Sequence, residues 1–195
     1  DFTLQNRGLT YSMMLQYTRS IATGNSEHDW AASGGLIVDA PSQEFLMPFD
    51  RPHDLTFSFY SRLPIGITGG ITAFYQSGYP YTPLIFNGRD PQVDHENKYS
   101  KRKSSFRMIN LSFFKGFKYQ NQMVSLGLTI YNAFNIVNAL DVYPLTGKAD
   151  DPGEYYTSYV GLPDSEHDKS GSYYDQPWWF YNPREINFFV KIDFE

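Results

Sequence analysis

The sequence has 195 residues, a formal net charge of −5, a mean hydropathy of −0.46 and no cysteine. It contains no run of about 20 apolar residues, which excludes a membrane-spanning helix, and the lack of cysteine excludes disulfides and thiolate metal sites. Aromatic residues make up 18% of the sequence, a content typical of proteins with aromatic girdles at membrane–water interfaces. The sequence begins with Asp1 and shows no signal-peptide pattern, so we interpret it as a mature segment or a fragment.

Six segments alternate apolar and polar residues with a period of two, the pattern of a β-strand that has one apolar face. The first predicted strand covers residues 9–18, and a long polar loop at 25–53 follows it. The second covers 55–63 and ends in a tight turn at Pro64–Gly66, and the third covers 67–76. These lengths are close to the 9–11 residues or so that a tilted strand needs to cross a bilayer.

The second half of the sequence continues the pattern. A long loop is predicted at 77–105 and the longest at 132–182. Strands are predicted at 109–113 and 124–130, joined by the short segment 115–122, and a sixth strand ends the sequence. Long and short connections therefore alternate, as they do in outer-membrane barrels with short periplasmic turns and long external loops.

The alternation also predicts which side chains face lipid and which face the barrel lumen. The apolar core of the predicted lipid face carries no charged residue, as expected because a Lys or Arg near the bilayer midplane costs about 2–4 kcal/mol. The predicted membrane-facing residues of the last two strands are Leu126, Leu128, Ile130, Ile186, Phe188, Val190, Ile192 and Phe194. The predicted lumen-facing residues are Thr56, Ser58, Tyr60, Arg62, Thr129, Glu185, Asn187 and Lys191.

The predicted fold class is all-β: an antiparallel transmembrane β-barrel to which this sequence contributes about six C-terminal strands. Six strands are too few to close such a barrel, because the smallest have about eight. An open strand edge in hydrocarbon would leave unpaired amide groups that cost several kcal/mol each. We therefore expect further strands, either from another chain or, as we favour, upstream in the same protein.

Five stretches of the sequence carry a family resemblance. They are PFDRPHDLTFSFYSRLP at 48–64, SGYPYTP at 77–83, RMINLSFFKGF at 107–117, LGLTIYNAFNIVN at 126–138, and the terminal strand. In this order they resemble the C-terminal barrel strands of TonB-dependent outer-membrane receptors. The FDR-x-H start of one strand and the SG-x-PYTP end of the next are the most specific parts of the resemblance.

The resemblance implies a barrel of about 22 strands, plugged by an N-terminal domain, that imports a scarce ligand with energy delivered through TonB. Residues 1–195 would be the C-terminal part of that barrel, without the plug and the earlier strands. The implied location is the bacterial outer membrane, with external long loops and a periplasmic C-terminus. The implied partners are outer-membrane lipid and lipopolysaccharide, the rest of the barrel and its plug, the TonB complex, and the barrel assembly machinery, which reads the terminal strand. Such barrels usually end on an aromatic residue, whereas here Glu195 follows Phe194.

Siderophore, cobalamin, oligosaccharide and peptide importers share this kind of wall, so the sequence leaves the ligand open. Aromatic and cationic side chains at predicted lumen or loop positions are the candidate ligand-binding residues: Tyr60, Arg62, Tyr79, Tyr81, Trp178 and Trp179. The alternative for the run from Trp178 to Tyr181 is an aromatic belt at headgroup depth.

Charged loop residues offer no second kind of site. His28, His95 and His167 lie beside acids in the long loops, but without the spacing of a dedicated metal site, so no metal and no cofactor are predicted. The basic stretch at 98–103 is too short to predict nucleic-acid binding, and no nucleophile elbow or HExxH motif predicts catalysis. Two other classes stay open: a soluble antiparallel β binding module, and an outer-membrane barrel enzyme that uses His53 as a base.

Overall fold

The computed structural model describes residues 1–25, 44–86, 90–120, 122–158 and 176–193. Its main element is a seven-stranded antiparallel sheet in which each strand pairs with its sequence neighbours. The strands are β1 Phe2–Arg7, β2 Tyr11–Arg19, β3 His53–Arg62, β4 Thr68–Gln76, β5 Phe106–Tyr119, β6 Gln122–Tyr131 and β7 Glu185–Asp193. The predicted all-β, antiparallel character is confirmed.

The sheet has one strand more than the six predicted. The alternation does not predict β1, because its apolar series is short. Phe2 and Leu4 lie on one face, but the next position on that face is the polar Asn6, which pairs with Met13. The connection predicted at 115–122 is wrong, since β5 continues to Tyr119. Leu9, predicted within the first strand, instead lies between β1 and β2 and is fully exposed.

Three short connections lie at one end of the sheet and three long ones at the other, which confirms the predicted alternation. Residues 8–10 join β1 to β2, with the Gly8 amide donating to the Tyr11 carbonyl at 2.9 Å. The 3₁₀ helix Pro64–Gly66 joins β3 to β4, with φ of 62° at Ile65 and 73° at Gly66. Two residues join β5 to β6, because Tyr119 pairs with Gln122. The long connections are 20–52, 77–105 and 132–184, and we call their end of the sheet the long-loop end.

Small elements within the long connections build up the long-loop end. Three pairs of short antiparallel strands form there: Thr23–Gly24 with Phe45–Leu46, Pro80–Tyr81 with Lys101–Arg102, and Leu84–Phe86 with Pro91–Val93. One α-helix, Glu154–Thr157, and one 3₁₀ helix, Pro177–Trp179, complete the described elements.

The large sheet is a single layer. Within the described residues each of its strands makes its extensive strand contacts with its sheet neighbours, and the buried apolar side chains lie in the long connections, at Met47, Val142 and Ala149. The outer strands β1 and β7 each have one partner, so the described part of the sheet does not close into a barrel. Nothing in these residues covers either face, although one face of a sheet normally packs against a second layer.

Candidate functional site

The strand register gathers the apolar side chains of the sheet on one face, which we call the apolar face. Residues paired directly across antiparallel strands project from the same side. One continuous row crosses six strands through Met13, Phe59, Ile71, Leu111, Ile130 and Ile186. The predicted membrane-facing residues Leu126, Leu128, Ile130, Ile186, Phe188, Val190 and Ile192 all lie on this face, and Phe194 lies outside the described residues.

Charged side chains on the apolar face lie at the long-loop end and at one position within β5. Arg19 and Arg107 are at the long-loop end, and the Arg107 guanidinium lies 5.9 Å from the Tyr75 ring centroid. Lys115 pairs with Leu126, whose row continues to Val190, and the apolar row Phe117, Val124 and Ile192 lies beyond it towards the short-turn end. The prediction of an uncharged apolar core therefore fails at Lys115, while the rows through Leu128 and Ile130 are uncharged across β5, β6 and β7. The added length of β5 brings Lys115 onto the face, although the sequence pattern assigns this residue to a connection.

Tyrosines flank the apolar face at both ends. Tyr17 and Tyr75 lie at the long-loop end, where Tyr17 Oη is 2.8 Å from His53 Nδ1. Tyr11 and Tyr119 lie at the short-turn end, and Tyr11 stacks on Phe59 with 6.4 Å between ring centroids. The ten residues of β3 extend about 33 Å, and a strand of that length tilted by about 40° would rise by about 25 Å. This height matches the apolar band of a transmembrane barrel, which is about 25 Å tall.

The opposite face, here called the polar face, carries the residues predicted to line a lumen. A row through Ser12, Tyr60, Gly70, Ser112, Thr129 and Asn187 crosses six strands. Two glycines on this face lie beneath aromatic rings, Gly70 under Tyr60 and Gly127 under Phe189. The Phe189 ring also lies 5.9 Å from that of Phe114. The polar face is therefore amphipathic, with rings packed over the gaps that glycines leave.

A buried ion pair joins the first two long connections. The Asp50 carboxylate, whose residue is 1% exposed, accepts from Arg102 Nη2 and from the Ala22 amide. Arg102 Nη1 also donates to the carbonyls of Asp50 and Gly78, both at 3.2 Å. Because an unpaired buried charge is costly, this pair fixes the arrangement of the loops more than it adds stability. Asp50 belongs to the FDR-x-H motif, so the motif has a structural role here.

Three of the four candidate ligand residues of the loops contact other residues of the long connections, and we call them the loop cluster: Tyr79, Tyr81 and Trp179. The Arg51 guanidinium lies 4.0 Å from the Tyr79 ring centroid. Tyr81 packs against Gly147, and burial raises the pKa of its hydroxyl above the ordinary value. The Gly147 amide donates to the Tyr143 carbonyl at 2.8 Å, and the Tyr143 ring lies 4.6 Å from that of Trp179. Trp178, by contrast, is 68% exposed.

Tyr60 and Arg62 do not join this loop cluster. They lie on the polar face near the opposite, short-turn end of β3. The seven residue steps from His53 to Tyr60 correspond to about 23 Å. The six candidate ligand residues therefore form two separate groups, one in the loops and one on the wall.

Three asparagines of the YNAFNIVN stretch fasten the chain around the last long connection. The Asn132 side chain donates to the Ile136 and Asn182 carbonyls at 2.9 and 3.3 Å and accepts from the Ile136 amide at 2.8 Å. Asn135 Oδ1 accepts from the Arg184 amide at 2.9 Å. Asn138 brackets Arg107, accepting from its amide at 2.8 Å and donating to its carbonyl at 2.7 Å.

Two of these asparagines also have backbone conformations that favour asparagine. Asn132 and Asn135 have φ of 48° and 52°, in the left-handed region that asparagine tolerates better than most residues. Asn132 and Asn138 are each 1% exposed, so their amides replace water as hydrogen-bond partners for loop backbone. The stretch thereby fixes where β6 ends and where β7 begins.

A pocket of about 260 Å³ opens beside this fastened segment, on the polar face near the long-loop end. Its lining comes from β5, β6, the start of β7 and the connection before β7: Met108, Asn110, Tyr131, Asn132, Tyr181, Asn182, Pro183 and Glu185. Among these residues, the sequence pattern predicts Glu185 to face the lumen and Tyr181 to belong to the aromatic run at 178–181. The run of asparagines was the available signal, since polar residues that flank a strand end can hold two chain segments together.

No family model, curated protein or solved structure matches the chain. In the described ranges no helix is long and apolar enough to cross a membrane. Those ranges also contain no group of three or more histidine, aspartate or glutamate side chains placed to hold a metal ion.

Proposed function

We propose that this chain is the C-terminal part of the barrel wall of a TonB-dependent outer-membrane receptor and that it acts in ligand capture and uptake. The observation that carries the proposal is the apolar face: continuous apolar rows, in which Arg19, Arg107 and Lys115 are the lysine and arginine residues of the described strands, on a single-layer sheet without a covering layer in the described residues. In water such a face would need a second layer. In a bilayer, lipid covers it.

The connections and the edges of the sheet support the same proposal. Short connections at one end and long ones at the other correspond to the periplasmic and external sides of an outer-membrane barrel. The outer strands β1 and β7 each lack a second partner in the described part of the chain. In the receptor these edges would pair with further strands, because unpaired backbone groups in hydrocarbon are costly.

The other two classes have less support. A soluble binding module would have to cover the apolar face with a second sheet or a partner. A barrel enzyme using His53 as its base would need that imidazole at the lumen, whereas His53 Nδ1 hydrogen-bonds Tyr17 Oη at the margin of the apolar face. The polar side chains of the polar face and the aromatic rings of the loop cluster are better suited to binding a ligand than to catalysing a reaction.

The test is thiol labelling of intact Gram-negative cells that express the complete natural polypeptide. Single cysteines replace Glu96 in the second long connection, and Ile65 or Gln120 in two short connections. An impermeant thiol reagent should label Glu96→Cys in intact cells and the other two only after permeabilisation. Labelling of Ile65→Cys or Gln120→Cys in intact cells, or recovery of the polypeptide as a detergent-free soluble protein, would contradict the proposal.

A further inference from the structure

Hydrogen bonds and one ring contact fix the chain segment that forms one wall of the 260 Å³ pocket on the polar face. The fully buried Asn132 amide donates to the Asn182 carbonyl, and the Asn138 carbonyl accepts from the Tyr181 amide at 2.9 Å. The Tyr181 ring meets the Phe106 ring edge-on, with 5.2 Å between centroids. Across the pocket, Tyr131 and Glu185 are paired directly between β6 and β7. The backbone of Tyr181 and Asn182 and the Tyr181 ring are therefore held in place before a ligand arrives.

Several polar groups of this lining retain hydrogen-bonding capacity. Among the described residues, the hydroxyls of Tyr131 and Tyr181 and the side-chain amide of Asn182 have no hydrogen-bond partner. Asn110 Oδ1 accepts from the Asn132 backbone N–H at 3.0 Å, which leaves the Asn110 side-chain NH₂ group available. Glu185 accepts one bond from Asn187 at 2.8 Å, which leaves its second oxygen available. The pocket thus offers both donors and acceptors around two aromatic rings.

The charge of the lining narrows the class of ligand. Glu185 is the charged residue of the described lining, and neither lysine nor arginine is among its members. A carboxylate or phosphate ligand would meet a like charge without a compensating cation. Hydroxyl groups can donate to the carboxylate and to amide oxygens and accept from amide NH₂ groups. Tyrosine rings pack against apolar ring faces while their hydroxyls hydrogen-bond.

From this set of groups we infer that the pocket binds one unit of a neutral oligosaccharide. Its volume is below the range of about 300–1,000 Å³ found for sites of drug-sized ligands, so it fits a single ring of a longer chain. The inference rests on the proposed function, since the polar face receives a ligand from outside only if it lines the receptor lumen. It names the ligand class that the sequence leaves open.

The experiment measures binding by the complete natural polypeptide, purified in detergent and checked for barrel folding by heat-modifiable mobility. The protein is applied to an array of neutral oligosaccharides, and the best-retained one is titrated by calorimetry, with spermidine and an oligogalacturonate as cationic and anionic probes. Glu185→Gln should weaken binding about tenfold, because it replaces a charged acceptor by a neutral one. Tyr131→Ala should weaken it at least about tenfold through lost ring packing. Asp193→Asn is the matched control, on the same strand and face but at the short-turn end.

Retention of a neutral oligosaccharide that both pocket variants weaken and the control does not would support the inference. Folded receptor that retains none, that prefers spermidine or oligogalacturonate, or whose pocket variants bind like the control would overturn it. If Tyr131→Ala fails to fold, the isosteric Glu185→Gln variant decides the outcome. Thiol labelling of the same protein separates the two proposals: correct topology without neutral oligosaccharide binding contradicts only this inference, and incorrect topology contradicts the proposed function.

Discussion

Adjacent residues on β6 give the sharpest test of the two-face arrangement. Leu128 lies on the apolar face between Phe113 and Phe188, whereas Thr129 lies on the polar face between Ser112 and Asn187. Leu128→Arg would place a cation in a row of the apolar face that is uncharged across β5, β6 and β7. Thr129→Arg would place the same side chain on the polar face.

The expected difference follows from where the two side chains project. An arginine facing lipid near the bilayer midplane costs about 2–4 kcal/mol. This corresponds to about a 30- to 700-fold loss in the folding equilibrium, since 1.4 kcal/mol is about tenfold. Thr129→Arg should change the free energy of unfolding by less than about 1 kcal/mol, because its guanidinium meets water and polar neighbours. Leu128→Ala separates lost packing from the effect of charge and should cost less than Leu128→Arg.

The assay is reversible unfolding of the complete polypeptide in lipid vesicles by urea, followed by heat-modifiable mobility. The midpoint should fall strongly for Leu128→Arg and little for Thr129→Arg. Equal losses for these two variants would refute the assignment of the apolar face to lipid. A larger loss for Thr129→Arg would mean that the faces are reversed.

Three further predictions concern the wall and the loops. Gly127→Ala should destabilise the protein by about 1–3 kcal/mol, because the added methyl group overlaps the Phe189 ring. Gly116→Ala is the control and should cost less in the same urea titration, because its new methyl group has no neighbour closer than 3.9 Å. Arg102→Met should leave the buried Asp50 carboxylate unpaired at a cost of about 3 kcal/mol and should speed proteolysis of the long connections. Lys103→Met should cost less than about 1 kcal/mol, because its partner Asp141 is half exposed. Equal proteolysis rates for the two variants would contradict the structural role of the Asp50–Arg102 pair. The Lys148 ammonium and the Gly153 amide lower the pKa of Asp151 below its ordinary value of 3.8. Their contribution to loop stability is therefore complete above pH 3.8 and is lost as pH falls through the lowered pKa. Lys148→Ala should raise that pKa in a carboxyl NMR titration, and an unchanged value would disprove the pairing.

Much of the sheet was predictable because strand signals are local. Alternation over β2, β3, β4, β6 and β7 depends on single residues and their neighbours, and short connections such as Pro64–Gly66 are marked by proline and glycine. The prediction was weakest where the local signal was weak. The strand β1 has few apolar residues, and the second half of β5 includes Lys115 and Lys118, whose charges make a strand resemble a connection.

The candidate site was less predictable, because binding pockets join residues that are far apart in the sequence. Tyr131 and Glu185 are 54 positions apart and become neighbours only through the pairing of β6 with β7. Tyr60 and Tyr79 have identical side chains and are only 19 positions apart, yet Tyr60 lies near the short-turn end of the sheet and Tyr79 follows β4 at the long-loop end. Residue type alone therefore groups aromatic side chains that the fold separates.

The sequence by itself determined the period of two, the separation of apolar from polar side chains within each strand, and the alternation of long with short connections. These properties follow from the geometry of one extended chain, in which successive side chains project from opposite sides. Only the tertiary structure decided that the apolar sides of all seven strands coincide, that Asp50 and Arg102 meet in the loops, and that buried asparagines hold a pocket at the strand ends. Register, burial and hydrogen bonding between distant segments arise when strands pair, since a shift of one residue between two strands would move every side chain to the other face.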